Sequence, residues 1–214
     1  MIKNCYDGMK ISILVILFFL YLACNGQHDS ATSAKENNNK GIAEKNVAQP
    51  TGPKKPLKSL LDSLRIDSKT IKIVIVKSKY ELSVWAGSLK LKTYPVVFGL
   101  NPVDDKLMQG DKCTPEGLFK IKSKYPHASW SKFIWIDYPI AESWKKHNEA
   151  IRKGLIPKSA KIGGEVGIHG VPKGCDYAID NRQNWTFGCI SLKNKDVNEI
   201  YEVVRVGTEI EIKK

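Results

Sequence analysis

The amino-acid sequence predicts a mainly β fold with a few short helices, confined to residues 57–214. Two observations carry this expectation. Short runs rich in β-branched and aromatic residues recur along the stretch, bounded by glycine, proline and polar residues, as strands require. Apolar residues at helical spacing occur only in brief segments.

The elements follow in chain order. Pro56 suits the first turn of a helix, and Leu57, Leu60, Leu61 and Leu64 stand at i, i+3, i+4 and i+7. Residues 71–76 and 80–85 read as strands, and Gly87-Ser88 turns the chain into a third strand over 89–98. Further strands are expected at 117–122, 133–137, 166–169 and 208–212, with a helix over 141–153. In the last helix Asn194 is the expected cap and Asp196 favours the positive end. Val197, Ile200, Tyr201 and Val204 form its apolar stripe, and Gly207 ends it.

A chain of 214 residues with 42% hydrophobic content suffices for one well-packed domain. Lys and Arg total 34 against 22 Asp and Glu and are dispersed, which argues against a nucleic-acid arm. Such charge suits a polyanionic neighbour, cell wall or lipid head groups, or else a solvated basic surface.

Met9-Lys10 precedes an apolar run over 11–23 that ends at Cys24, the pattern of a secretory signal. The run is shorter than the roughly 20 residues of a membrane-spanning helix. Leu22-Ala23-Cys24 resembles a lipoprotein processing site. Residues 1–23 are therefore expected to be a signal peptide and Cys24 the lipidated residue, in a membrane-anchored, periplasm-facing envelope protein. An ordinary cleaved signal with a coincidental cysteine is the alternative. Residues 24–56 are polar and cannot bury enough surface to offset chain entropy, so they are expected to be a disordered linker. Some 30 such residues reach roughly 30 Å.

Cys113, Cys175 and Cys189 fall in the expected domain. In an oxidising compartment an odd cysteine marks a reactive thiol. Cys189 follows Gly188, a residue that lets another group approach the backbone, and His169 ends an apolar run at Gly170. A cysteine and a histidine at two strand ends can meet, as a nucleophile and its base must; both can equally be core residues. Zinc on His169, Cys175 and Cys189 lacks a close cysteine pair or a second clustered histidine.

Three blocks then stand together: Gly110-Asp-Lys-Cys-Thr-Pro-Glu-Gly117, His169-Gly170, and Thr186-Phe-Gly-Cys189 followed by Asn194. With them, the segment from Ile71 onward resembles the catalytic domain of the L,D-transpeptidases (YkuD type). The resemblance implies a β-sandwich-like domain without metal or cofactor, acting on peptidoglycan stem peptides. A cysteine thiolate would attack the carbonyl after the diamino acid of a tetrapeptide stem, expel D-alanine and pass the acyl group to an amine. By position Cys189 is the nucleophile and His169 the base. Gly170 orients the imidazole, and the N–H groups of Gly188 and Cys189 with the Thr186 hydroxyl form the oxyanion site. On this reading His169 lowers the thiol pKa to well below 7, so Cys189 should alkylate faster than Cys113 or Cys175 at pH 6.

Phe187 and Ser191 depart from the His or Arg and the Arg that many family members carry, which leaves open how stem carboxylates are held. Arg182 and Trp185 are the candidates for substrate contact, against surface and packing roles. Cys113 and Cys175 either pair or stay thiols. Hydrolysis by the same machinery, and a non-catalytic wall-binding lipoprotein, are the competing functions.

Overall fold

In the computed structural model the structure describes residues 55–214. The expected signal segment, Cys24 and nearly all of the linker lie outside these residues.

The first helix, α1 (Leu57–Leu64), buries Leu57 and Leu61 and closes at Arg65, which adopts the left-handed conformation. Leu64, expected in the apolar stripe, is the last residue of the helix and is 47% exposed. The strands are β1 (Ile71–Val76), β2 (Glu81–Ala86), β3 (Leu89–Pro95), β4 (Gly117–His127), β5 (Ser131–Ile136), β6 (Gly167–His169), β7 (Ile190–Ser191) and β8 (Glu209–Lys213). Three helices sit between them: α2 (Ala141–Arg152), α3 (Tyr177–Asp180) and α4 (Asn194–Val203).

All eight strands form one sheet in the order β3-β2-β1-β8-β4-β5-β6-β7. Strand β4 joins its two halves: Gly117 to Lys120 pair with β8, and Ile121 to His127 pair with β5. A bulge between Ile121 and Ser123 marks the change of partner, and bulges bend strands and increase their twist. The curled sheet closes on one core. Ile73, Ile75, Ile210 and Ile212 from one half join Ile134, Ile136, Ile168 and Ile190 from the other, with Val197 and Ile200 of α4. Full burial of each such side chain is worth roughly 1.5–3 kcal/mol relative to exposure. The mainly β fold expected from sequence is what the chain adopts.

Several expected boundaries move, each for a tertiary reason. Strand β3 stops at Pro95, and the following residues leave β2 to bridge the region around Cys189, Val97 to Ser191 and Gly99 to Thr186. Asn194 does not cap α4, whose N-cap is Lys193; its side-chain oxygen accepts from Val171 N instead. Helix α4 ends before Gly207, which turns into β8 with φ +86° and donates to Ile121 O. The short α3 and β7 lack the length that makes a periodicity legible.

Candidate active site

Strands β6 and β7 run parallel, with Ile168 opposite Ile190 and His169 opposite Ser191. Ile168 and Ile190 are fully buried in the core. Side chains alternate along a strand, so Gly167 and His169 on β6 share the other face with Ser191 on β7. One step back along the register, Cys189 stands beside Gly167 on that same face. Position 167 requires glycine, because the Phe133 ring packs against it and would lie 2.5 Å from a Cβ there. Thus Gly-Ile-His beside Cys-Ile-Ser places the imidazole and the thiol on adjacent strands, one pleat apart.

The imidazole is held on every side. His169 Nδ1 lies 2.7 Å from Gly170 O, and a carbonyl only accepts. Nδ1 therefore carries the proton, leaving Nε2 as the basic nitrogen. Ser191 Oγ donates to the same carbonyl at 3.2 Å. Gly170 is itself clamped: its N–H donates to Trp130 O at 3.0 Å, and a Cβ on it would overlap Asn194 Oδ1 and stand 2.5 Å from Trp130 O. Trp130 stacks on the imidazole at 4.4 Å and Phe133 at 5.7 Å, while Trp185 meets it edge-on at 5.5 Å. The result is a histidine 1% exposed. Burial drives its pKa down to about 4, against the pull of the Gly170 carbonyl, with His127 adding a smaller downward push.

This shift has a consequence for stability. A pKa depressed below the unfolded value of 6.5 contributes stability that is present above pH 6.5 and lost as pH falls towards 4. The loss is on the order of 3 kcal/mol. Urea unfolding of the full-length chain at pH 7, 5.5 and 4.5 should show this decline, and His169→Gln should shrink it. An equal decline in both proteins would remove His169 as its cause.

The turn before Cys189 depends on Gly188, whose φ is +135° and whose Cβ would lie 2.7 Å from Cys113 O. Thr186 is buried. Its hydroxyl donates to Cys189 O at 2.7 Å and accepts from Gly188 N at 3.2 Å. Thr186 and Gly188, both expected to face the oxyanion, are thus bonded to each other in this state and brace the turn. Among the described residues the Cys189 N–H has no acceptor, which makes it the backbone donor open to substrate.

The thiol contact is with Glu165 O, at 3.6 Å, and no hydrogen bond joins Sγ to the imidazole. Burial pushes the Cys189 thiol up to about 11, Glu165 adds to the rise, and the Gly167 N–H and Lys106 oppose it. The resting pair is accordingly a neutral thiol and a neutral imidazole. This corrects the expectation of a thiolate formed well below pH 7: desolvation penalises both charged forms, and at Cys189 it exceeds the opposing effects of the Gly167 N–H and Lys106.

Beneath the turn lies the loop of the Gly-Asp and Thr-Pro-Glu-Gly block. Asp111 accepts from Leu107 N, Met108 N and Cys113 N at 2.8, 2.9 and 3.0 Å and from Lys106 Nζ at 2.8 Å. Thr114 Oγ1 accepts from Gly99 N, and Asp105 ties the loop to Lys146 of α2 at 2.5 Å. Cys113 is a buried free thiol, so it does not pair with Cys175. The Arg182 guanidinium lies over the Tyr80 ring at 5.5 Å, while Trp185 walls the imidazole, so only the second of these candidates adjoins the site. Trp130, Phe133 and Lys106 are neighbours of the site that sequence reasoning missed. The first two come from one stretch and Lys106 from another, both distant in sequence from His169 and Cys189, and nothing local marks them. Among the described residues no three His, Cys, Asp or Glu side chains converge as a metal requires.

Comparison with known proteins adds three findings. A family model described as the L,D-transpeptidase catalytic domain, YkuD, matches residues 70–212. No curated protein matches the sequence. Solved structures align at low identity. Bdellovibrio bacteriovorus Bd1075 is 17% identical with a TM-score of 0.47, over 67% of this chain and 47% of that one. The helical cell shape determining protein Pgp2 of Campylobacter jejuni is 18% identical with a TM-score of 0.49, over 73% and 54%. An L,D-transpeptidase from Mycobacterium smegmatis is 18% identical with a TM-score of 0.41, over 68% and 59%. The chain spans about half the length of these proteins.

Proposed function

The chain belongs to the YkuD family of L,D-transpeptidase catalytic domains, and on that premise we propose that it is a cysteine-dependent acyltransferase acting on peptidoglycan tetrapeptide stems. The observation that supports this most is the placement of His169 and Cys189 on one face of adjacent parallel strands, with the His169 tautomer set by Gly170 O.

The chemistry follows from the resting state. As Sγ attacks the carbonyl carbon after the diamino acid, its proton passes to His169 Nε2 and the carbonyl π electrons move to oxygen. The Cys189 N–H receives that oxyanion. Collapse of the intermediate breaks the peptide bond, and His169 returns the proton to the departing D-alanine amine. A side-chain amine from another stem then attacks the thioester, with His169 again taking and returning a proton. Since both groups rest neutral, proton transfer accompanies attack rather than preceding it. The product is a crosslinked or remodelled wall peptide.

Incubating the full-length chain with purified stems and an amine acceptor, followed by mass spectrometry, tests this. Released D-alanine and crosslinked dimers are expected. A tripeptide stem formed only by added water would replace the reading with hydrolysis, and untouched stems with a folded protein would leave a wall-binding role.

We further propose that Cys24 carries a lipid that anchors the protein in the envelope membrane, with residues 24–56 as the tether. The support is the apolar run ending at Leu22-Ala23-Cys24 and the polar segment after it. Cys24→Ala should move the protein from the membrane fraction to the soluble one; equal retention of both proteins on fractionation would refute the anchor.

A further inference from the structure

We propose that Lys106 is a positioning residue for this reaction: its buried ammonium lies against the nucleophile turn and favours negative charge on the Cys189 sulfur and on the oxyanion beside it. The inference rests on Cys189 being the nucleophile.

An ammonium withdrawn from water costs several kcal/mol unless it is paired and hydrogen-bonded. The Lys106 side chain is only 4% exposed. Its Nζ donates to Asp111 Oδ1 at 2.8 Å and to Met108 O at 3.1 Å. Those are two acceptors for a group with three N–H donors. What lies on its other side is the nucleophile turn: Nζ is 3.9 Å from the position that a Cβ on Gly188 would occupy. The lack of a side chain at 188 is what allows this approach.

Asp111 holds the cation with a carboxylate that is already engaged. Its carboxylate is shared among Lys106 and the three backbone N–H groups of Leu107, Met108 and Cys113, and it acts on the Cys113 thiol. On Cys189 the charged groups that act are Lys106, which favours the thiolate, and Glu165, which opposes it. The ammonium is thus bonded to its counter-charge and close to the turn that carries the reacting sulfur. The site has need of it, because His169 rests neutral and the Gly188 N–H is taken by Thr186. A fixed positive charge in a water-poor site acts on developing negative charge without reorganising.

A purely structural role, bracing the loop, would be lost with fold stability and would leave the thiol titration in place. Peptide-resolved iodoacetamide labelling of Cys189 from pH 7 to 11 separates the two in the full-length chain, with thermal melts reporting folding. Lys106→Met should move the reactivity curve up by about one pH unit, close to tenfold slower at pH 8. Lys106→Arg, which keeps the charge, should stay within about threefold of the wild type. Asp111→Asn, which strips the counter-charge, should move the curve the opposite way. A folded Lys106→Met protein with the wild-type curve, or Met and Arg variants displaced alike, overturns the proposal. Where Lys106→Met does not fold, Asp111→Asn decides: an unchanged or upward-shifted curve overturns it. The labelling needs no stem substrate. A wild-type chain inert towards stems would therefore remove the acyl-transfer reading, while the displaced curves would still establish the charge effect on Cys189.

Discussion

Cys189→Ala should abolish D-alanine release from tetrapeptide stems, a fall of about 10⁴-fold or more, and His169→Gln should approach the same floor. Residues that act as one unit fail together, so the double variant should be little worse than either single one. The pH profile carries a second, independent signature. His169 accepts a proton only when neutral, which its buried state secures down to about pH 4. Activity should therefore rise through about pH 4 to a plateau, without the inflection near 6.5 that an exposed histidine would give. Rates measured between pH 4 and 8, over the range in which the fold persists, test this. Full turnover by Cys189→Ala would sink the assignment of the nucleophile, and an inflection near 6.5 would show that the imidazole is solvated.

Gly188→Ala should be strongly damaging although it adds a single methyl group. Two costs add: φ +135° is a conformation in which a side chain is strained, and the new Cβ would lie 2.7 Å from Cys113 O, a backbone atom that cannot swing aside. Strain of this kind is worth roughly 1–3 kcal/mol, and the overlap displaces the turn that presents Cys189. We expect a loss of about 3 kcal/mol of stability and about 100-fold of activity, since a shift of about 1 Å at a reacting atom is enough for that. Gly174→Ala is the control: its φ is +84°, but nothing lies within 4 Å of its Cβ. It should lose only the strain, about 1 kcal/mol. Denaturant melts and stem turnover on both variants give the comparison. Equal damage from the two substitutions would mean that the contact with Cys113 O is not what the glycine at 188 avoids.

Much of the fold was legible because strands here are long and bounded. Residues 71–76 match β1 to the residue, and the helix expected over 141–153 differs from α2 by its last residue only. Where the pattern ran short it gave no sign: β7 is two residues long, yet it is the strand that sets Cys189 and Ser191 beside His169. Asn194 shows the opposite failure. A cap residue in the right place was drawn instead to Val171 N, because a side-chain oxygen bonds to whichever N–H the fold brings within reach.

What the sequence by itself determined was the family pattern and the residues that carry it. A glycine-bounded cysteine, a histidine before glycine and a Gly-Asp loop stand in the order that the family pattern shares, and the local chain needs no more than its own residues to state it. The tertiary structure decided the electrical state of that chemistry. Trp130 and Phe133 from one stretch and Trp185 from another converge on the imidazole, and Lys106 reaches Gly188 from a third. A pKa is set by the water that is excluded and by the charges that replace it. Neither quantity belongs to the residues near Cys189 in sequence, so a thiol expected to ionise below pH 7 is held near 11 by groups that only folding brings around it.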